Sequence, residues 1–175
     1  MANATMTLIS SQTLGGTTAS VTFSSIPSTY NDLKLVVSAR GDTASFGNQI
    51  NIKLNNDTTT NYSYTDLYGN SSVASSQRAS SQGVDSIINT DGAYSTASTF
   101  GSCEVYISNY NSTSSKPFFD IYCAETNDAT INHTLMGSNA HLYRGASGIS
   151  SITLTPASGN FVQYSNFYLY GIKNS

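Results

Sequence analysis

Few side chains in this sequence belong to the types that catalyse reactions or bind metals. His133 and His141 are the two histidines among 175 residues, and serine is abundant, so a Ser-His-Asp arrangement is conceivable. The sequence lacks the G-x-S-x-G motif that places a hydrolase nucleophile on a sharp turn. Both histidines share parity in one extended stretch, but Gly137 interrupts it and no third ligand follows at metal-binding spacing. We expect hydrogen-bonded surface or core histidines, with no catalytic residue, metal site or cofactor.

Two acidic residues form the best candidate for a hydrolytic pair. Glu104 and Asp120 lie on neighbouring predicted strands around the loop 109–115, so they could face each other across a hairpin. Glycoside hydrolysis needs two carboxyl groups separated by about 5 to 10 Å. The alternative is two solvated acids on an outer face, and we favour it because acids are sparse elsewhere. The sequence therefore predicts a protein that is not an enzyme.

Tyrosine offers a different chemistry, since twelve tyrosines and seven phenylalanines are present. Exposed tyrosine rings could stack on sugar rings in a receptor-binding tip. They could equally line a subunit interface, where tyrosine is enriched, and we favour the interface. The tyrosines weighed between these two roles are Tyr62, Tyr64, Tyr68, Tyr94, Tyr106 and Tyr110.

Charge and composition exclude several classes of partner. The net charge is −3 and the few basic residues are scattered, so we expect no nucleic-acid partner. No apolar run reaches the length of a membrane span, and the first ten residues lack the pattern of a secretory signal. We therefore expect synthesis in a cytosol and no membrane partner. Cys103 and Cys123 are expected to be buried free thiols, although a disulfide stays open if their strands face each other.

The elements that must position these side chains are strands. Gln49 to Asn55 alternates apolar and polar residues, as does most of Asp32 to Arg40, which is typical of half-buried strands. Roughly eight to ten such segments are separated by turn signals, and no helix of ten or more residues is indicated. The pattern predicts a single all-β domain over 1–175, an antiparallel β-sandwich of the jelly-roll type. Residues 69–83, rich in Ser and Gly, are expected to form a long surface loop.

The last strand carries aromatic residues on both faces. Phe161, Phe167 and Leu169 share one parity, whereas Tyr164, Tyr168, Tyr170 and Ile172 share the other. A strand that is apolar on both faces must be covered twice, by its own core and by a second layer or a neighbouring molecule. The candidate interface residues are Tyr106, Tyr110, Tyr164, Tyr168 and Tyr170.

Three segments resemble a known group of proteins. Ser25 to Arg40, Ile152 to Leu154 with its Gly159 turn, and Phe167 to Lys173 are similar to segments of small virion proteins from tailed bacteriophages, especially marine and cyanobacterial ones. The segments cover about a third of the chain.

The resemblance implies a virion structural protein with a jelly-roll-like domain, without separating a capsid protein from a tail or fibre component. We expect a protein that decorates or cements the capsid, and the resemblance implies a homotrimer. Its partners would be the major capsid protein or other virion proteins, and its location the virion, after synthesis in the host bacterial cytoplasm. The alternative is a tail-fibre or receptor-binding protein that recognises host surface carbohydrate.

Overall fold

The computed structural model describes residues 5–69, 73–128 and 131–173. All named secondary-structure elements in these residues are β-strands. This part of the chain has no helix, and hence none that is long and apolar enough to cross a membrane. The predicted all-β class is confirmed, with more strands than the eight to ten expected. The twelve strands are β1 (Met6–Thr13), β2 (Val21–Phe23), β3 (Asp32–Ala39), β4 (Gly47–Leu54), β5 (Tyr62–Gly69), β6 (Ala74–Gln82), β7 (Asp85–Asp91), β8 (Gly101–Ile107), β9 (Lys116–Asp128), β10 (Ile131–Tyr143), β11 (Ile152–Pro156) and β12 (Asn166–Ile172).

The strands form two antiparallel sheets of unequal size. The large sheet has the order β1-β12-β3-β8-β9-β10-β5-β6, and the small sheet has the order β2-β11-β4-β7. Strand β7 contacts β8, β9 and β10 across the gap between the sheets. The predicted antiparallel sandwich is therefore confirmed, but four strands cover only part of an eight-stranded sheet.

The hydrophobic core lies where the two sheets overlap. Strand β3 alternates half-buried and buried residues, so that Leu33, Leu35 and Val37 point inward, while Ile52 and Leu54 of β4 meet them from the small sheet. Each fully buried aliphatic side chain contributes about 1.5–3 kcal/mol relative to an exposed one. The alternation in the sequence thus decides which face of each strand belongs to the core.

The segment predicted as a long surface loop contains a strand. Residues 74–82 form β6, which pairs with β5 at the edge of the large sheet, and residues 70–72 lie outside the described ranges. Most β6 side chains are exposed, so its sequence shows no alternation of apolar and polar residues. Strand β6 is held by backbone hydrogen bonds to β5. Backbone hydrogen bonds do not require any particular side chains, so the sequence does not reveal this strand.

Candidate functional site

The most unusual surface of the molecule is the side of the large sheet that faces away from the small sheet, which we call the outer sheet face. Inward residues of β3, β8, β9 and β12 are buried in the core, so the alternate residues of these strands point outward. Of the ten exposed large hydrophobic side chains in the described ranges, six lie on this face. They are Met6, Leu8, Leu67, Phe119, Ile121 and Met136.

The strand register aligns Ile121 and Leu67 in one row across the sheet and Phe119 in the adjoining row, whereas Met6 and Leu8 lie on the edge strand β1. Partners directly opposite in antiparallel strands have Cβ atoms about 4.5–5.5 Å apart, on the same side of the sheet. The register therefore builds two adjoining rows across the centre of the outer sheet face. One row is Tyr168, Val36, Glu104, Ile121, Ser138 and Leu67, and the other is Tyr170, Lys34, Tyr106, Phe119 and Ala140.

The charges within these rows are paired with neighbours in the same chain. Lys34 Nζ lies 2.8 Å from Glu104 Oε2. The Tyr106 hydroxyl donates to Asp32 at 2.6 Å, and this hydrogen bond, with burial, raises the pKa of Tyr106 to about 12. The Tyr106 and Phe119 rings stack with centroids 5.6 Å apart. The centre of the face is thus largely apolar and aromatic, Lys34 and Glu104 neutralise each other, and Asp32 accepts a hydrogen bond from Tyr106.

The predicted interface tyrosines separate into three environments. Tyr106, Tyr168 and Tyr170 are half-buried on the outer sheet face. Tyr164 is 64% exposed in a turn before β12, with φ of 70°. Tyr110 is completely buried and its hydroxyl donates to the Pro27 carbonyl oxygen, so its assignment to an interface is wrong. Tyr106 and Tyr110 are both even-numbered and would share a face if the strand continued. Strand β8 ends at Ile107, and the turn that follows, in which Asn109 has φ of 47°, changes the direction of Tyr110.

The two cysteines lie on opposite sides of the large sheet and both are free thiols. Cys103 points into the core, as predicted. Cys123 is exposed on the outer sheet face, so its predicted burial is wrong. It lines a shallow depression of about 520 Å³ together with Glu104, Ile121 and Met136. The depression gives this face relief into which side chains of a partner can pack.

A second group of chemically active residues is enclosed between the sheets, and we call it the inter-sheet cluster. His141 of β10 places Nδ1 2.7 Å from Asp85 of β7 and Nε2 2.5 Å from Asp120 of β9. Asn139 Nδ2 donates to Asp120 at 2.9 Å, and the Phe118 ring stacks on the imidazole at 4.6 Å. The cluster connects the edge of the small sheet to the middle of the large one.

Burial and hydrogen bonding oppose each other in the inter-sheet cluster. Burial lowers the pKa of His141, but its hydrogen bonds to Asp120 and Asp85 outweigh this and raise it to about 9. Burial also raises the pKa of Asp120 to about 6, against the hydrogen bonds from His141 and Asn139. The three side chains of the ion pairs have no exposed surface. The cluster therefore links the two sheets through buried hydrogen bonds, and His141 is a hydrogen-bonded core histidine, one of the two kinds that the sequence predicted.

The proposed hydrolytic pair is not brought together. Glu104 pairs with Ile121, and Asp120 pairs with Val105, so the two acids point to opposite faces of the large sheet. Their alternative as two outer-face acids is also wrong for Asp120, which is buried. The side chain of His133 lies outside the described residues. Within the described ranges, no three His, Cys, Asp or Glu residues are grouped so as to hold a metal ion.

One end of the sandwich carries an exposed aromatic pair that the sequence did not single out as a pair. Phe46 and Tyr94 are 38% and 57% exposed, with centroids 5.6 Å apart and planes at 65°. Arg40 fixes the loop that bears Tyr94, because its guanidinium donates to four backbone carbonyl oxygens of that loop. These belong to Ala93, Ser95, Thr96 and Thr99, at 2.7–3.3 Å.

Comparison with known proteins identifies no family. No family model matches the sequence, and no curated protein matches it. A crystal structure of scytalido-glutamic peptidase with a transition state analogue inhibitor aligns at 14% identity and a TM-score of 0.21, over 94% of this chain and 66% of that one. The CBM2 module of the evolved Dit of Lactobacillus casei BL23 phage J-1 aligns at 9% identity and a TM-score of 0.17, over 89% and 69%. Similarities this weak carry no argument about fold or function.

Proposed function

We propose that this protein is a structural component of a tailed-phage virion, which decorates or cements the head through non-covalent subunit contacts. The observation that carries the proposal is the outer sheet face, where six large hydrophobic side chains are left exposed. Contiguous apolar patches on soluble monomers are normally small, and larger ones mark interaction sites. The segments around β3 and β12 resemble phage virion proteins, and this resemblance is the reason for proposing the virion as the location.

The chemistry of the face suits adhesion. Its Lys34–Glu104 pair is already formed within the chain, so a covering partner does not have to supply a counter-charge, and the cost that remains is removal of water from the exposed part of the pair. Aromatic residues such as Tyr106 and Phe119 supply a large contact area for each side chain that is ordered. Repeated on a symmetric shell, contacts that are individually modest add up through avidity.

The test uses particles that lack the protein. We expect such particles to lose resistance to heat and osmotic shock, and the added wild-type protein to restore it. Ile121→Lys, which places a charge at the centre of the outer sheet face, should restore it poorly. Tyr94→Lys is the matched control, because Tyr94 is as exposed as the residues of the face but lies at the end of the sandwich. Particles that are equally resistant with and without the protein would contradict a cementing role.

A carbohydrate-binding tip of a tail fibre is the second candidate, and the Phe46–Tyr94 pair favours it. A rigid aromatic surface binds with little loss of conformational entropy, and Arg40 holds this loop in place. On a glycan array, wild-type protein should bind a host surface sugar and Tyr94→Ala should lose that binding. Tyr164→Ala, an exposed tyrosine outside the pair, serves as the control. Absence of wild-type binding to any host glycan would remove this candidate.

A further inference from the structure

We propose that a depression at the β6 end of the outer sheet face binds an acidic saccharide, whose carboxylate pairs with Arg78. The depression has a volume of about 640 Å³, and we call it the Arg78 depression. It meets the apolar rows only at Ala140, and neither Phe46 nor Tyr94 lines it, so it is a site that neither proposed function uses. The side chains considered below are Ser63, Thr65, Arg78, Ser80, Pro117 and Leu142.

The strand register gives the Arg78 depression a floor and two walls. Pro117 of β9 lies opposite Leu142 of β10, and Arg78 of β6 lies opposite Thr65 of β5. Between these walls the middle strands β10 and β5 present mostly small side chains, which are Ala140, Ser63 and Thr65. Three strand spacings of about 4.8 Å separate β9 from β6, so the backbones of the walls are about 14 Å apart.

The size of the Arg78 depression suits a small molecule. Binding sites for small molecules have volumes of roughly 300–1,000 Å³, and 640 Å³ lies within that range. A single carboxylate side chain from a partner protein would fill only a small part of this space. The volume therefore favours a ligand of the size of an oligosaccharide over one acidic side chain.

The charge of the Arg78 depression favours an anion. Of the three arginines, Arg78 has the only guanidinium that forms no hydrogen bond or ion pair within the described residues. Arg40 donates to loop carbonyl oxygens, and Arg144 donates to Ser63 Oγ and the Thr60 carbonyl oxygen. Arg78 is exposed, and no Asp or Glu is among the described residues that line the depression. A guanidinium matches a carboxylate through two parallel hydrogen bonds.

The rest of the lining favours a saccharide over other anions. The hydroxyl groups of Ser63, Thr65 and Ser80 can each donate and accept a hydrogen bond, as the hydroxyl groups of a sugar do. Pro117 and Leu142 offer apolar surface to the C–H groups of a sugar ring. A phosphate monoester carries about −1.5 to −2 charges, more than one guanidinium balances in a chain of net charge −3. The single carboxylate of a uronic or sialic acid is balanced by Arg78.

The first experiment is a glycan array that carries uronic-acid and sialic-acid glycans beside their neutral counterparts. Wild-type protein should bind acidic glycans and not the matching neutral ones. In calorimetry with the strongest binder, Arg78→Gln should lose roughly ten- to hundred-fold in affinity, as expected for a charged hydrogen-bonded pair. Lys53→Gln is the matched control, because it removes the same charge from β4 of the small sheet. Absence of wild-type binding to every acidic glycan would overturn the proposal.

Thr65→Tyr tests the depression separately from the charge. An arginine in the middle of an edge strand also discourages edge-to-edge pairing, and that role needs no depression beside it. Thr65 is exposed on the floor and tyrosine is favourable in strands, so the variant should fold, fill the space and keep Arg78. Binding of the acidic glycan should be lost. Wild-type affinity in Thr65→Tyr would show that Arg78 attracts anions without the depression, which contradicts the proposed site.

The Arg78 depression and the two proposed functions fail separately. Arg78→Gln should restore particle resistance as well as the wild type, because Arg78 lies beyond the ends of the apolar rows. If Arg78→Gln instead failed to restore resistance while the wild type bound no acidic glycan, a partner protein would supply the anion and the saccharide would be excluded. If Tyr94→Ala lost the acidic glycan and Arg78→Gln kept it, the sugar would lie at the Phe46–Tyr94 pair, and the depression would be excluded.

Discussion

At the scale of single residues, the inter-sheet cluster is the most informative feature, because it places ionisable groups where hydrophobic residues would be expected. His141 has a carboxylate at each ring nitrogen, and both contacts are fully enclosed. Both nitrogens can donate only if the imidazole is protonated. Such a buried group is stable only while its partners remain in place, and removing one leaves an uncompensated charge.

The raised pKa of His141 predicts a loss of stability at alkaline pH. The folded chain binds this proton more tightly than the unfolded chain, whose ordinary value is 6.5, and the folded value is about 9. Protonated His141 therefore makes its full contribution to the free energy of unfolding below pH 6.5. As the pH rises through 9 this contribution, about 3 kcal/mol, is lost. Urea unfolding at a series of pH values between 6 and 10 measures this decline in the free energy of unfolding.

Asp85→Asn provides the control for this prediction. The substitution keeps the shape of the side chain but removes one of the two carboxylates at the imidazole. The pKa of His141 should fall, so the decline in unfolding free energy should move to lower pH. A wild-type free energy that stays level between pH 6.5 and 9 would show that His141 gains no proton affinity on folding.

At the scale of elements, the turn before β3 packs closely against β12. Tyr30, in the turn before β3, packs against the core and lies over Gly171 of β12. A Cβ atom on Gly171 would come 2.3 Å from the Tyr30 ring. The Asn31 amide also donates to the Ile172 carbonyl oxygen at 2.8 Å. A glycine is therefore needed at this point of the strand.

We expect Gly171→Ala to lower the unfolding free energy by about 1–3 kcal/mol, since the added methyl group must displace the Tyr30 ring. Gly15→Ala is the matched control, because a Cβ atom there meets nothing within 4 Å, and it should change stability by less than about 0.5 kcal/mol. Chemical unfolding of both variants measures the difference. Equal effects at the two glycines would show that Tyr30 moves aside at no cost.

At the scale of the whole molecule, the large sheet has eight strands and the small sheet has four. The large sheet is therefore divided into a part that the small sheet covers and a part that it does not. Across its inner face one row of paired residues changes from apolar to polar, running through Leu169, Leu35, Val105, Asp120, Asn139, Asp66 and Gln77. The apolar part lies in the core under the small sheet. The polar part continues past β7 to β6, where most side chains are exposed.

This division predicts uneven protection of the backbone. Amides of β6 should exchange with deuterium well before those of β3 and β8, because β6 is an edge strand with little buried apolar surface. Hydrogen exchange followed by mass spectrometry of peptides from each strand measures this. Protection of β6 as strong as that of β3 would show instead that the large sheet opens as one cooperative unit.

Local patterns in the sequence were sufficient to predict the class of fold and much of the core. Alternation over Asp32 to Arg40 and Gln49 to Asn55 identified β3 and β4, and it assigned their inward residues correctly. Strand β6 was missed because an exposed edge strand needs no alternation. Of the candidate interface, three tyrosines were placed on the outer sheet face, whereas Tyr110 was misplaced because a turn reversed its direction.

The sequence by itself determined that this chain is an antiparallel β-protein, because period-two burial is a local property that each strand carries in its own residues. Only the tertiary structure decided which strands pair and in which register. In β8 and β9 that register pairs even-numbered residues with odd-numbered ones, which separates Glu104 from Asp120 and gathers Ile121 and Phe119 with Tyr106. The outer sheet face and the inter-sheet cluster both depend on residues far apart in the chain, and the contacts that unite them exist only once the sheets have formed.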